Sequence, residues 1–217
     1  MNKSKKICHI TSGHFVWDNR VFKKECTSLA INGYDVTLIG IDDRSYKDTE
    51  NGVKRIALFI PVKNKFQRMI KRSKAVYEES LKINADIYHF HDIELFFYAL
   101  KLKRKGSKVI FDCHEDYFEY FKDVKWYPKI IGKLISIFIN TIFKKYVKKF
   151  DAVVTVTPHI MEKFAPYTNH LYMITNYPII ESNKIQSVSL EDYLNRDNGL
   201  IYAGILHPRS NQETTLQ

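Results

Sequence analysis

Residues Lys108 to Tyr120 read KVIFDCHEDYFEY, an apolar run that breaks off into ionisable side chains. Val109, Ile110 and Phe111 carry no polar alternation, which predicts a strand buried on both faces whose following residues emerge at its carboxyl end. Asp112, His114, Glu115 and Asp116 stand there. Packed cores rarely hold that density of charge, whereas open α/β sheets place their ligand crevice outside the carboxyl ends of the strands. The chemistry of the chain is expected at this strand tip.

Working upstream, Ile7 to Thr11 predicts a first strand and Thr11, Ser12, Gly13 and His14 a turn. A helix capped by Asp18 or Asn19 then runs to about Asn32, with Val21, Phe22, Cys26, Leu29 and Ala30 at helical spacing. Asp35 to Gly40 is a second buried strand, which completes a β-α-β unit. Gly13 stands alone rather than in a dinucleotide fingerprint, so no nicotinamide or flavin site is expected. Asp42 to Gly52 reads as a polar connection and Val53 to Phe59 as another strand. A helix follows over Asn64 to Lys82, with Phe66, Met69, Ile70, Ser73, Val76 and Tyr77 on one stripe. Its basic residues, Lys65, Arg68, Lys71, Arg72 and Lys74, form either a solvated face or a surface that meets anionic lipid.

Asp86 to His91 is the next strand, and its alternation puts His89 and His91 on one face. Asp92 is expected to cap a helix over Ile93 to Lys105. The two histidines could ligate a metal together with His114, or line a polar crevice and hydrogen-bond within it.

Downstream, Trp126, Tyr127 and Pro128 mark a break and a helix start. Ile131, Leu134, Ile135, Phe138 and Ile142 form one stripe, which Ile137, Ile139 and Phe143 widen beyond a normal core face. Lys133 interrupts a run already shorter than the ~20 residues that span a bilayer. This helix is either sandwiched inside the fold or rests its apolar edge and Lys144, Lys145, Lys148 and Lys149 on a membrane. Ala152 to Thr157 reads as a strand, Pro158 to Phe164 as a short helix and Leu171 to Thr175 as a strand. The alternation predicts a doubly wound, mostly parallel Rossmann-like α/β sheet over residues 1–180, a polar linker over 181–198, and a strand-like run at Gly199 to Ala203.

Composition bounds the partners. The 217 residues are 45% apolar, enough for a substantial core. Met1 to Lys6 leads into a short strand rather than a secretory leader, and three scattered cysteines fit reduced thiols in a cytosolic protein. No Cys/His spacing suggests structural zinc. A net charge of +10 points toward polyanions. It gathers in Lys3 to Lys6, Lys63 to Lys74, Lys101 to Lys108 and Lys144 to Lys149, and no nucleic-acid-binding signature accompanies it, so nucleic acid is not an expected partner.

In order along the chain, TSGHFVWDNRVFKKECTSLAINGYDVTLIG, ADIYHFHDIELF, KVIFDCHEDY, FDAVVTVTPHIMEKF and ITNYP resemble the amino-terminal half of GT-B glycosyltransferases of the family-4 type, retaining enzymes that build bacterial polysaccharides and glycolipids. The likeness runs from Lys6 to Pro178 and into GLIYAGI, which is similar to the first strand of a second Rossmann-like domain. The resemblance implies a first domain that binds the acceptor and a second that binds a nucleotide-sugar donor. It places Gly13, with His14 in the same loop, where backbone without a Cβ approaches the donor phosphates. His114 falls where the family has an active-site histidine that contacts the transferred sugar, and Asp92, Glu115 and Asp116 fall on the acceptor side. No carboxylate is assigned as a nucleophile.

The implied partners are the nucleotide sugar as co-substrate, with no metal or other cofactor, and a glycan or lipid-linked acceptor. An anionic surface at the cytoplasmic face of the plasma membrane is a further one. Residues 199–217 would begin the donor domain, with His207, Pro208 and Arg209 approximating its first loop. The remainder is not read in this sequence and could come from a second chain, so the chain alone is expected to be inactive. Two other readings stay open: a non-catalytic membrane-surface or partner-binding module, and a metal-dependent hydrolase using His89, His91 and His114.

Overall fold

The computed structural model of the protein describes residues 4–120, 128–179 and 189–196. Eight strands make one sheet: β1 (Lys6–Phe15), β2 (Asp35–Ile41), β3 (Tyr46–Glu50), β4 (Val53–Leu58), β5 (Ile87–Phe90), β6 (Lys108–Cys113), β7 (Ala152–Thr155) and β8 (Leu171–Met173). Their spatial order is β3-β4-β2-β1-β5-β6-β7-β8, parallel throughout except for β3 against β4. The chain leaves β1 toward β2 on one side and returns to place β5 on the other. That reversal opens a crevice at the carboxyl ends of β1 and β5, where doubly wound sheets bind ligands.

Helices cover the crossovers. A π-helical stretch (Asn19–Cys26) continues into α1 (Thr27–Ile31), and α2 (Lys65–Leu81) follows β4. A 3-10 turn (Ile93–Leu95) leads into α3 (Phe96–Arg104), and α4 (Tyr117–Tyr120), α5 (Lys129–Tyr146) and α6 (Pro158–Phe164) follow β6 and β7. On one face of the sheet Phe90, Phe111, Phe96, Phe143 and Phe164 pack as an aromatic core, with Phe90 stacked on Phe111 at 4.6 Å and Phe164 edge-on to Phe111 at 6.1 Å. Val21, Phe22 and Cys26 pack on Val36, Leu38, Val53 and Ala57 as a separate cluster.

Several expectations change. Residues Thr11 to His14 are extended rather than turned, because β1 continues past an irregularity and Phe15 rejoins β2 opposite Ile41. The connection over Asp42 to Gly52 contains β3, an edge strand folded onto β4 through Asn51 and Gly52. Both have positive φ, 51° and 76°, as a two-residue hairpin turn demands.

In α5 the buried residues are Gly132, Ser136, Ile139 and Phe143, so Ile131, Leu134 and Phe138 of the anticipated stripe face out. Both candidate faces are apolar, and side-chain size chooses between them. Gly132 and Ser136 let the helix come close, Ser136 donates to the Phe118 carbonyl at 2.7 Å, and Phe143 completes the aromatic cluster. In α2, Ser73 and Val76 are buried while Phe66 and Ile70 are exposed.

By packing the chain divides into Met1–Tyr177 and Pro178–Gln217. Within the anticipated linker lies α7 (Leu190–Leu194), started by a capping box in which Ser189 and Asp192 satisfy each other's backbone amides. The break at Trp126 and Tyr127 and the anticipated strand at 199–203 lie outside the described residues, as do His207, Pro208 and Arg209.

The orientation of α5 sets a measurable contrast. Phe143→Ala should cost about 3–5 kcal/mol of unfolding free energy, whereas Phe138→Ala should stay within about 0.5 kcal/mol. Urea unfolding of the two variants measures both, and the reverse ranking would turn the helix over.

Candidate functional site

Asp92 follows β5 and organises the carboxyl-terminal residues of β1. It occupies the helix-start position but makes no side-chain cap there, against expectation. Its Oδ2 instead accepts from Thr11 Oγ1 at 2.7 Å, the Ser12 amide at 2.7 Å and the Gly13 amide at 3.2 Å. Since the Thr11 hydroxyl proton goes to Asp92, its oxygen accepts from the His14 amide and from His14 Nδ1, both at 3.0 Å. Burial by itself would raise the Asp92 carboxyl. The hydrogen bond and charge of His14, then Thr11 and the Ser12 amide, outweigh it and hold the carboxyl well below the usual range. Reciprocally, burial would lower His14, but Asp92 raises it. A Cβ on Gly13 would meet Asp92 Oδ1 at 2.6 Å, so the backbone approaches only because the side chain is missing.

His114 follows β6, with its ring 5.1 Å from that of His14. Burial, the largest influence, lowers it to about 4, assisted by His91 and His14 and opposed by the Asp112 carboxylate. It is therefore a neutral imidazole at physiological pH, a hydrogen-bonding rather than a charged group. Gly13, His14, Asp92, His114 and Glu115 share one cavity of about 260 Å³, to which Arg68 of α2 and Glu94 of the 3-10 turn add charge.

Asp116 is not in it. Its Oδ1 accepts from the Phe118 and Glu119 amides and caps α4, and its Oδ2 pairs with Lys163 at 2.6 Å and His159 at 3.2 Å. The chain has already entered α4 at that point, and the carboxylate is drawn to the helix N-terminus and to α6. An acceptor-side role for Asp116 is thereby replaced by a structural one.

Asp112 does not emerge at the tip either. It sits fully buried within β6 and accepts from Arg20 Nε at 3.2 Å, from Arg20 Nη2 at 3.0 and 3.1 Å, and from His91 Nδ1 at 3.0 Å. Burial would raise this carboxyl, but His91, His89 and Arg20 hold it far below the usual range. His91 Nε2 meets His9 Nδ1 at 3.0 Å. Glu25 Oε1 lies 3.0 Å from Arg20 Nε at an angle that makes no hydrogen bond, and burial, the dominant influence, pushes its carboxyl up to about 7. His89 lies on the same face as His91, their rings stacked at 4.8 Å, and burial lowers it to about 3.

His9, Arg20 and Glu25 escaped the sequence reading. Arg20 and Glu25 are five positions apart and look like solvated charges on an α-helix. The Lys23 amide bonds the Asp18 carbonyl five residues back, and in this π-helical winding positions i and i+5 come onto one face.

Residues 19–176 match the model of Glycosyltransferase Family 4. Comparison with curated proteins by sequence finds no match. Among solved structures, a sucrose-phosphate synthase from Thermosynechococcus elongatus aligns with a TM-score of 0.53 and 12% identity over 79% of this chain and 47% of that one. A second structure of that synthase aligns with a TM-score of 0.52 and 12% identity over 79% of this chain and 87% of that one. A glycosyltransferase from Rickettsia africae aligns with a TM-score of 0.48 and 19% identity over 81% of this chain and 43% of its own. At these identities the likeness is one of fold. The chain spans about half the length of the first synthase structure, 47%.

The buried imidazoles set a pH signature. His114 and His89 have folded values of about 4 and about 3, below the unfolded value near 6.5. As pH falls from about 6.5 to about 4 for His114 and about 3 for His89, the unfolded chain takes up protons these groups refuse, so their contribution to stability declines. His14 and His91 are raised and work the other way, their contribution complete below about 6.5 and lost as pH rises through their folded values. The His114 ring resonances followed by NMR should titrate with a midpoint near 4; a midpoint near 6.5 contradicts the buried setting.

Proposed function

The chain belongs to glycosyltransferase family 4, and from that premise we propose that its sheet supplies the acceptor-binding half of a GT-B transferase. The reaction moves a sugar from a nucleoside diphosphate to a glycan or lipid-linked acceptor, in the service of polysaccharide or glycolipid assembly. The nucleotide sugar is the sole co-substrate invoked. A second Rossmann-like half, in the same polypeptide or in a partner chain, holds it.

The observation that carries this reading is the convergence of Gly13, His14, Asp92, His114 and Glu115 on one cavity at the switch point of the sheet. Cleavage of the sugar–phosphate bond puts positive charge on the ring and negative charge on the leaving diphosphate, so placed dipoles and cations do more than a strong nucleophile. The segment at Gly13 and His14 supplies an imidazole whose positive form Asp92 favours and which can face the leaving diphosphate, while the missing side chain of Gly13 makes room for that aspartate. His114, held neutral, hydrogen-bonds a sugar hydroxyl, and Glu115 accepts from the acceptor. Asp92 is engaged with Thr11, Ser12 and Gly13, which makes it a positioning residue rather than a nucleophile. Retention of configuration then follows from attack on the leaving-group face.

In turnover assays with nucleotide sugar, the donor-binding half present, His114→Ala should lower kcat by about 10²–10³-fold with the unfolding midpoint preserved. Unchanged turnover would return His114 to a structural role.

The outward face of α5 supports a membrane-surface position, and the cytoplasmic side is the one proposed for it. Ile130, Leu134, Ile137 and Phe138 are 61–69% exposed, and Lys133, Lys144 and Lys148 are exposed on the same helix and the turn that follows it. Among the described residues no helix is long and apolar enough to cross a bilayer, so α5 would lie on it. In flotation assays the protein should rise with anionic vesicles at low salt and be released by salt, and Phe138→Asp should weaken the association. Protein that stays at the bottom of the gradient with anionic vesicles at low salt removes the membrane part.

A further inference from the structure

We propose that His9, Glu25, His89 and His91 form a buried site for a divalent transition metal of the zinc type, separate from the cavity assigned to sugar transfer. One ligand atom from each lies within 4.8 Å of every other. His9 Nδ1 and His91 Nε2 are 3.0 Å apart, and Glu25 Oε2 stands 3.8 and 3.9 Å from them. Tetrahedral zinc with bonds of about 2.0–2.1 Å spaces its ligand atoms at roughly 3.3 Å, a value these three edges bracket. Closure on a cation asks for shifts of about half an ångström on these edges.

The surroundings are those of a ligand set rather than a chance cluster. His91 donates Nδ1–H to Asp112, which in the neutral ring leaves Nε2 as a lone pair directed at the group; a carboxylate behind a histidine is the usual means of orienting a metal-binding imidazole. Asp112 is itself held by the Arg20 fork. Among the described residues, His89 Nε2 and both Glu25 oxygens are buried without a hydrogen-bond partner. Two carboxylates, Glu25 and Asp112, face one guanidinium, Arg20, so once Glu25 is ionised the group is one positive charge short, which a cation can supply.

A path of entry exists as well. His9, Glu25 and His89 line a cavity of about 530 Å³ on the sheet face under the π-helix. Three imidazoles and one carboxylate suit zinc better than magnesium or calcium, and four protein ligands make a closed, structural site. Such an ion would bind the π-helix to β1 and β5. The competing occupant is a proton, on Glu25 or His91, which would meet the same charge deficit without selecting any metal.

Tag-free protein stripped with chelator and then equilibrated with zinc should retain one ion per chain by elemental analysis. Its Tm should rise by roughly 5–10 °C at a hundredfold excess over Kd. Cobalt in place of zinc should give the strong visible d–d band of four-coordinate geometry. His89→Ala and Glu25→Gln should each weaken zinc binding by at least about tenfold, the order seen when a metal's supporting residues are lost, while His114→Ala leaves it unchanged. Any of four results overturns the proposal: no retained zinc, no such cobalt band on the unmutated protein, affinity indifferent to both His89→Ala and Glu25→Gln, or affinity lost with His114→Ala. The first two need no variant to fold.

Discussion

Three hydrogen bonds from Arg20 and one from His91 converge on the Asp112 carboxylate, which has no exposure to solvent. A lone charge at that depth would be expelled or neutralised, and here it persists because a bidentate guanidinium and an imidazole meet it. The arrangement ties the π-helix, β5 and β6 together beneath the crevice. The π winding of the first helix brings Arg20 and Glu25, five positions apart, to the same buried group. Removal of one partner from such a pair costs about 3–5 kcal/mol because the other is left uncompensated, so the strands that carry the site and the helix that flanks it stand or fall as a unit.

Two aspartates at neighbouring strand ends thus serve opposite ends of the same construction. Asp112 looks inward and holds the frame, while Asp92 looks across to β1 and holds its last residues through the Ser12 and Gly13 amides. His114 lies between, 3.9 Å from the Asp112 carboxylate and near the His14 ring, and burial rather than either charge decides that it is neutral. The pairing of a histidine whose positive form is favoured with one kept neutral gives the cavity two distinct polar functions within about 5 Å, the ring separation of His14 and His114.

The parallel order of the strands does the rest. Because β1 is flanked by β2 on one side and β5 on the other, the loops after β1 and β5 diverge to opposite sides and leave room between them, which a hairpin-connected sheet would not. The aromatic core on one face fixes β5, β6 and β7 in register, so the positions of Asp92, Asp112 and His114 relative to one another are set by packing several residues below them.

By itself the sequence determined the alternation of strands and helices, the parallel sheet and the place where polar strand ends gather, because uninterrupted runs such as Val109 to Phe111 and helical spacing such as that from Asn64 to Lys82 are local patterns. It also carried His114 and Glu115, which follow β6 closely enough that strand direction brings them to its carboxyl end, while Gly13, His14 and Asp92 came from the likeness to the family and line the same cavity. The hairpin at Asn51 and Gly52 was legible in that dipeptide and passed over for the polarity around it. Only the tertiary structure decided that Asp116 caps a helix, that Asp112 lies in the core, that α5 buries Phe143 in place of Phe138, and that His9, Arg20 and Glu25 belong with His89 and His91. Those outcomes turn on which of two similar faces finds small residues or an opposite charge across the sheet. That choice is made between segments as many as 92 positions apart, as Arg20 and Asp112 are, and no local period records it.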